Sequence, residues 1–389
     1  MFVLEIIWLT CIFLIFHSYV LFPAVLKILS INKKQNNNVY TYKDDLPSVA
    51  ILLAVFNEQS VIEEKIVKTF ETKYPLHKIK FYIGSDASTD ATNEIISKYS
   101  SIYPIELVIF PGRTGKSGII NRLAELAKEE IYILTDANVF FNEHTIYQLV
   151  KHYKNESIAQ VGGNIINPIH KKDGISYQEK SYLSRENLIK YQEGVIWGTM
   201  IGAFGGCYSI RASHYSPVPK NFLMDDFYIS MHVFEQRKKA INELDAQCYE
   251  DVSNKIEEEF RRKVRISAGN FQNLNRYKAL LWPPCTGLSF CFLSHKVLRW
   301  YTPILLILAF LCISILTLSQ NYYLYLLLLM VVMFLSPAID NLFKRLGLHF
   351  KWLRFATHFI LMNFALLKGF IWYHRGVESN VWKPTQRNQ

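Results

Sequence analysis

Two stretches without a charged residue decide what kind of molecule this chain builds. Ile6–Leu26 and Trp300–Ile339 contain no Asp, Glu, Lys or Arg. At about 1.5 Å per residue the first is long enough to cross a hydrocarbon core of about 30 Å, and the second long enough to cross it twice. Ser319-Gln320-Asn321, near the middle of the second run, reads as a hairpin turn. The first run is read as an uncleaved anchor: Glu5 stands where a signal peptide would carry a basic cluster, and no small-x-small cleavage site follows. A third run, Phe355–Tyr373, contains His358, Asn363 and Lys368, so it either spans or lies in the interface.

These runs divide the 389 residues. The expectation is an N-terminal transmembrane anchor over 1–30, a polar linker over 31–47 and an α/β catalytic domain over 48–279. An amphipathic interface segment (280–299), a transmembrane hairpin (300–339) and a region of basic loop, third membrane or interfacial helix and polar tail (340–389) complete the chain. Lys33 and Lys34 follow the anchor, and Lys344, Arg345, Lys351 and Arg354 follow the hairpin. By the positive-inside rule both flanks, and the central domain with them, face the cytosol, which predicts a multi-pass protein of the cytoplasmic membrane. If Phe355–Tyr373 spans, parity puts the tail Gly376–Arg387, with Trp382, Lys383, Pro384 and Thr385, outside; an in-plane helix keeps it cytosolic. The net charge of +10 is explained by anionic headgroups and phosphate-bearing substrates, so no nucleic-acid partner is expected. Six cysteines without C-x-x-C spacing read as reduced packing thiols, not a disulfide or metal framework.

Inside the polar region the pattern alternates. Ser48–Phe56 is a continuous apolar run, as in a strand covered on both faces. Ser60-Val61-Ile62-Glu63 fits a capping box, starting a helix that ends near Pro75. Ile79–Gly84 reads as strand, Ala91–Tyr99 as helix, Ile105–Phe110 as strand, Lys116–Lys128 as helix and Ile131–Thr135 as strand. Such alternation predicts right-handed βαβ units in a mostly parallel sheet, whose ligands bind beyond the carboxyl ends of the strands. At those ends stand Asn57 and Glu58, Asp86 and Asp90, Arg113 and Lys116, Asp136 and Asn138. Carboxylates there suit ribose, base or metal, and the two cations suit phosphates.

Asp136 and Asn138 are two residues apart, so they can converge on one hard cation, Mg²⁺ or Mn²⁺. The structural alternative is a strand followed by an Asp/Asn turn. Pro111-Gly112-Arg113-Thr114-Gly115-Lys116-Ser117 invites a P-loop reading, but the required first glycine is replaced by Phe110, which argues against an ATPase.

Further on, a helix is expected over about 143–153, a short strand over Gln160–Ile165 and a long helix over Tyr177–Glu193. The stretch from Gly202 to Arg211, with Gly205 and Gly206, is a glycine-rich loop entering a strand, either a simple turn or a place where a ligand approaches backbone. Asp225 and Asp226 precede a helix over Tyr228–Glu235; one would be its N-cap and the other a candidate general base. Glu257–Arg265 mixes acids and bases, as a solvated helix would, yet Arg262 and Arg265, one turn apart, share a face that could grip a diphosphate.

Taken in this order, the motifs resemble those of membrane-bound glycosyltransferases of family 2, over essentially the whole chain. The resemblance implies a GT-A fold, a Rossmann-like and mostly parallel sheet, with transmembrane helices at both ends. Asn57-Glu58 looks like the family's nucleotide-side motif, and Ser85-Asp86-Ala87-Ser88-Thr89-Asp90 is similar to its D-D-x-S-x-D, which implies that Asp86 contacts the nucleobase. Arg113 and Gly115-Lys116 match the basic loop near the nucleotide. Asp136-Ala137-Asn138 matches the metal-binding D-x-D in its D-A-N form. Asp225-Asp226 stands where the family has E-D, implying Asp226 as the base, with Asp225, Gly205 and Gly206 on the acceptor side. Two departures stand out. Asn138 replaces an aspartate, and Arg262-Lys263-Val264-Arg265-Ile266 aligns with a Q-(Q/R)-x-R-W pattern of processive members, with Ile266 at the tryptophan position.

The function so implied is inverting transfer of a sugar from a nucleotide sugar, expected to be UDP-linked, to a hydroxyl of a membrane-associated glycan. Asp136 and Asn138 would hold the metal, and Arg265, Arg262 and Lys116 would offset charge on the leaving group. The family points to exopolysaccharide, capsule or cell-envelope synthesis with export-system partner proteins. Ile266 points to single addition onto a lipid or lipid-linked acceptor. A non-catalytic membrane scaffold would predict loss of Asp136 or Asp226, and both are present.

Overall fold

The computed structural model describes residues 1–167, 176–250, 256–348 and 350–377, so the tail residues Trp382–Arg387 lie outside the described residues. The chain forms two compact units, one from 1–25, 256–285 and 289–376, the other from 26–250 with 286–288.

The second unit holds an eight-stranded sheet: β1 (Val49–Val55), β2 (Ile79–Asp86), β3 (Ile105–Phe110), β4 (Ile131–Thr135), β5 (Val139–Phe141), β6 (Ile158–Ile166), β7 (Cys207–Arg211) and β8 (Lys239–Glu250). Their order is β3-β2-β1-β4-β7-β6-β8-β5. β3, β2, β1 and β4 are mutually parallel, β7 runs antiparallel between β4 and β6, and β8 pairs parallel with β6 and antiparallel with β5. This is the expected mostly parallel α/β sheet of the GT-A type. β1 is apolar throughout because both its faces are covered. Val49, Ile51, Leu53 and Val55 share a core with Ile62, Ile66, Phe70 and Ile146, while Ala50 and Leu52, pointing the other way, are equally buried. On the face of β2 toward helix Lys116–Leu126, Gly84 is obligatory, since a Cβ there would lie 2.2 Å from Ile119 Cγ2.

Several local expectations change. The capping box at Ser60 does not form: helix Ile62–Phe70 has Val61 at its N-cap without a side-chain cap, and Ser60 lies inside a turn in which the Glu58 carbonyl accepts the N–H groups of Val61 and Ile62 at 3.0 Å. Neither aspartate caps the helix that starts at Asp225. Met224 holds that position, so both lie in the first turn of helix Asp225–Glu235. β5 and the long β8 carry no expectation above. The polar linker is fastened down: Gln35 Nε2 donates to the Asn242 carbonyl (2.7 Å), Asn38 Nδ2 to the Lys154 carbonyl (3.3 Å) and the Tyr40 N–H to the Lys151 carbonyl (2.8 Å).

The other unit contains helices long and apolar enough to cross a membrane. By length and composition four qualify among the described residues: Phe2–Leu29, Gly287–Leu316, Tyr322–Arg345 and Lys351–Arg375. The segment expected to lie at the surface over 280–299 is mostly the start of the second of these. It is drawn into the bundle by the N-terminal helix, where Ser18 Oγ donates to the Ser294 carbonyl at 2.7 Å and His17 Nε2 meets Ser294 Oγ at 2.9 Å. Cys11, Ala309, Ile313, Leu316, Tyr323 and Met330 form the core of this bundle. Helix Ile256–Tyr277, expected at the end of the α/β domain, groups with this unit because it packs on Lys351–Arg375, with Ser267 Oγ donating to the Leu366 carbonyl at 2.7 Å.

Candidate active site

The exits of β1, β2 and β3 are sewn to one another. Asn57 follows β1 in the left-handed region (φ 55°), which asparagine tolerates better than most residues. There its Oδ1 accepts the Thr89 N–H at 2.9 Å, and its own N–H donates to Ser88 Oγ at 3.2 Å. The Glu58 N–H donates to Thr92 Oγ1 at 2.9 Å. Asp90 answers from the other loop, accepting the N–H groups of Gln59 and Thr92, each at 3.1 Å.

Asp86 ends β2 and is fully buried. It accepts from Arg113 Nε at 2.9 Å and from the N–H groups of Thr114 and Gly115 at 2.5 and 3.3 Å. The loop after β3 thus folds around a carboxylate, with Gly115 at φ 86°, and Arg113 lies 3.4 Å over the Phe56 ring. A P-loop would turn the same amides toward a phosphate; here a protein carboxylate takes them.

A second cluster gathers at β4 and helix Asp225–Glu235. Lys116 Nζ sits 2.7 Å from Asp136 Oδ1 and 3.9 Å from Asp225 Oδ2. Burial pulls this lysine's pKa down, but Asp136, Asp225 and Asp226 outweigh it and hold it above the usual lysine range. Asp226 is pushed up to about 6, first by burial and then by Asp225, against the opposing pull of Lys116, the Phe227 N–H and Lys190. Gly205 and Gly206 are where backbone closes on these groups. A Cβ on Gly205 would stand 2.8 Å from Asp226 Oδ2, and one on Gly206 would meet Val139 Cγ2 at 2.8 Å, with Asp136 Oδ2 3.7 Å away. Ser230 fixes the turn: its hydroxyl donates to the Asp226 carbonyl (2.7 Å) and accepts from the Ala203 N–H (3.0 Å) and Gln160 Nε2 (2.9 Å). Asn138 Nδ2 points to Glu250 Oε1 at the end of β8, 3.4 Å away.

Among the described residues no three His, Cys, Asp or Glu side chains cluster as metal ligands. The partly exposed Asp136 and the neighbouring Asn138 offer hard oxygen donors for part of a coordination shell, which fits a Mg²⁺ or Mn²⁺ ion completed by phosphate and water oxygens. Arg262 and Arg265 lie on helix Ile256–Tyr277 in the other unit, where Arg262 Nε pairs with Glu259 Oε2 at 2.8 Å.

Two lysines escaped the sequence reading. Lys190, on helix Ser176–Trp197, is 2% exposed and lies 3.4 Å over the Phe204 ring, near Asp226. Lys65 is fully buried. Its ammonium donates to Thr135 Oγ1 at 2.8 Å and to the Val139 carbonyl, and stands 3.9 Å over the Phe141 ring. It therefore bridges the two ends of the Asp136-Ala137-Asn138 turn. Burial lowers its pKa to about 8, partly offset by Cys207, Cys248 and Asp136. The signal for Lys65 was present: with Ile62, Ile66 and Thr69 it occupies the buried stripe of its helix, a charge on the wrong face.

Residues 50–214 match the family described as Glycosyl transferase family 2. A poly-beta-1,6-N-acetyl-D-glucosamine synthase of Staphylococcus aureus is 28% identical over 136 residues, 35% of this chain and 32% of the relative. A beta-monoglucosyldiacylglycerol synthase of Nostoc sp. is 29% identical over 119 residues, 30% of this chain and 25% of the relative. The match thus spans about a third or less of each relative's length. The fold is similar to that of the mannosyltransferase PcManGT from Pyrobaculum calidifontis, solved in complex with GDP-Man and Mn²⁺, with a TM-score of 0.73 and 20% identity over 95% of this chain and 99% of that one.

Proposed function

Since this chain belongs to glycosyltransferase family 2 through residues 50–214, we propose that it is an inverting enzyme. It moves a sugar from a nucleotide sugar, UDP-linked in our reading, to a hydroxyl of a membrane-associated acceptor. The observation that carries the reading is the acid cluster: three carboxylates around one lysine, with Asp226 poised near pH 6 beside a glycine that leaves its carboxylate open to approach. Asp226 takes the proton of the acceptor hydroxyl as that oxygen bonds to the anomeric carbon, while the bond from that carbon to the diphosphate breaks and the electron pair leaves with the phosphate. One displacement inverts the centre, so no enzyme nucleophile is required.

Asp136 and Asn138 would hold Mg²⁺ or Mn²⁺, which when bound neutralises the diphosphate. Lys116 offsets what develops on the leaving group. Asn57, Glu58, Asp86 and Arg113 form the nucleoside side, and Asp225, Gly205 and Gly206 the acceptor side. The family prior and the Staphylococcus relative favour a role in exopolysaccharide, capsule or envelope synthesis, with the catalytic unit on the cytosolic face of the cytoplasmic membrane and export proteins as partners. Ile266, at a position where processive members carry tryptophan, and the Nostoc relative favour the second reading, a single sugar placed on a lipid or lipid-linked acceptor.

Membranes containing the protein, incubated with a panel of radiolabelled nucleotide sugars, give the deciding measurement. Transfer from at least one donor is expected, and product size separates polymer from single addition. No transfer from any donor, with nucleotide binding intact, would count against catalysis.

A further inference from the structure

Composition leaves helix Lys351–Arg375 free to cross the membrane, but its contacts do not follow that course. Thr357 Oγ1 donates to the Ser336 carbonyl at 3.1 Å. Phe359 packs on Tyr19 with ring centroids 5.5 Å apart, and Phe370 on Tyr301 at 6.3 Å. Tyr301 and Ser336 lie on the two helices joined by the 317–321 turn, and each is about 21–22 Å along its helix from that turn. Tyr19 is equally deep, about 21 Å along the N-terminal helix from Glu5, whose carboxylate accepts the Tyr323 hydroxyl beside the same turn. Thr357 and Phe370 nevertheless stand about 20 Å apart along their own helix. A helix running alongside the spans would bring them to depths differing by that amount. This one runs across them.

Its second half also rests on a helix that cannot cross. Ile256–Tyr277 carries Glu257, Glu258, Glu259, Arg261, Arg262 and Lys263 in its first two turns. Gly369 is where the two helices touch, since a Cβ there would lie 2.5 Å from the Val264 carbonyl oxygen. Phe271 of that helix packs on both Tyr301 (5.4 Å) and Phe370 (4.8 Å).

The opposite face of Lys351–Arg375 is unlike a span. Phe364, Lys368, Ile371 and Arg375 follow one another at helical spacing and are exposed, so apolar and cationic residues alternate along one stripe. With Phe260 and Trp372 they line a groove of about 720 Å³ with almost no polar surface except the two cations. Neither Lys368 nor Arg375 has an ion-pair partner among the described residues.

We propose that Lys351–Arg375 lies in the plane of the membrane interface, and that its groove seats an anionic phospholipid, acyl chain along Phe260, Phe364 and Ile371 and headgroup phosphate between Lys368 and Arg375. The chain then crosses the membrane three times, and Gly376 emerges on the same face as helix Ile256–Tyr277. This surface is independent of the reaction assigned above.

Exposed Cys285 precedes the helix Gly287–Leu316 and marks that face in the native protein. In sealed vesicles of each orientation, an impermeant maleimide should label Cys285 and an introduced H374C from the same side; labelling from opposite sides overturns the proposal. In nanodiscs containing both lipids, brominated phosphatidylglycerol should quench the Trp372-dependent emission, obtained by difference with W372F, at least twofold more than brominated phosphatidylcholine. The K368Q/R375Q pair should erase that preference. Equal quenching by the two lipids in the unsubstituted protein overturns the lipid seat, and W372F activity shows that the reference variant is folded.

Discussion

The two halves of the candidate site solve opposite problems. At the exits of β1, β2 and β3, polar groups are used up by one another: buried Asp86 accepts three donors, and Asn57 and Asp90 tie their loops together in both directions. At the exit of β4, Asp136, Asp225 and Asp226 crowd around Lys116, with Lys65 and Lys190 as the further cations nearby, so carboxylates and lysines are held together without being paired off one to one. The first half is a surface whose polar groups are already paired within the protein. In the proposed reaction the second would meet a diphosphate-bound cation and take the proton of an acceptor hydroxyl. The contrast predicts that the first half governs binding and the second governs rate.

The largest expected effect tests the second half. Asp226→Asn should lower kcat by about 10²–10⁴-fold while the nucleotide-sugar Kd stays within about threefold, measured by calorimetry. Loss of binding together with rate would erase the contrast. Stability should move the other way. The folded state holds the Asp226 pKa near 6 against an ordinary 3.8, so its contribution is fully present below about pH 4 and is lost as pH rises through 6. At pH 7 the ionised group is a cost, and Asp226→Asn should raise Tm.

EDTA should abolish transfer, and Mg²⁺ or Mn²⁺ should restore it to the native protein but not to Asp136→Ala. Full activity in chelator would remove the metal from the β4 turn. A smaller effect is expected in the pH profile. Since the base must be ionised, kcat/KM should fall below about pH 6, and this acidic limb should disappear from the residual activity of Asp226→Asn. On the recognition side, Asp86→Asn keeps shape but weakens the hold on Arg113 and on the Thr114 and Gly115 amides. Charge-assisted hydrogen bonds of about 1.5–3 kcal/mol translate into a nucleotide-sugar Kd raised about 10- to 100-fold with kcat nearly kept.

How much of this could be read beforehand differs between the halves for a physical reason. β1 to β4 are joined by short crossovers, so each strand exit announces itself as a polar residue after an apolar run, and the four exits could be set side by side. β8 pairs with β6 and β5 across a long sequence separation, and its buried residues include Ala240, Ala246 and Cys248, too small and weakly apolar to mark a strand. The capping box at Ser60 was legible but false, because Ser60 lies inside the turn that closes onto the Glu58 carbonyl, one residue before the observed N-cap Val61. The acid cluster's charge sharing was illegible: Lys116, Asp136 and Asp225 are far apart in the chain, and only the β4–β7 pairing brings the loops that carry Asp136 and Gly206 together. Helix Lys351–Arg375 shows the same limit, since hydropathy reports that a segment can sit in a membrane and contacts report how.

Lys65 offers the smallest effect and the finest test of the contrast. A buried ammonium with no carboxylate in contact is a poor stabiliser, because removing it from water costs several kcal/mol, which a hydroxyl, a carbonyl and an aromatic ring only partly offset. If it served packing alone, Lys65→Met, similar in length and apolar, would be neutral or stabilising and nothing else would change. Because it clamps Thr135 and Val139 on either side of the Asp136-Ala137-Asn138 turn, the expected result is split. Tm should hold or rise, while the Mn²⁺ concentration for half-maximal activity rises about three- to tenfold, a loss of about 1 kcal/mol, and the nucleotide Kd measured without metal is unchanged. An unchanged Mn²⁺ requirement in a stable Lys65→Met protein would mean that the turn keeps its shape unaided.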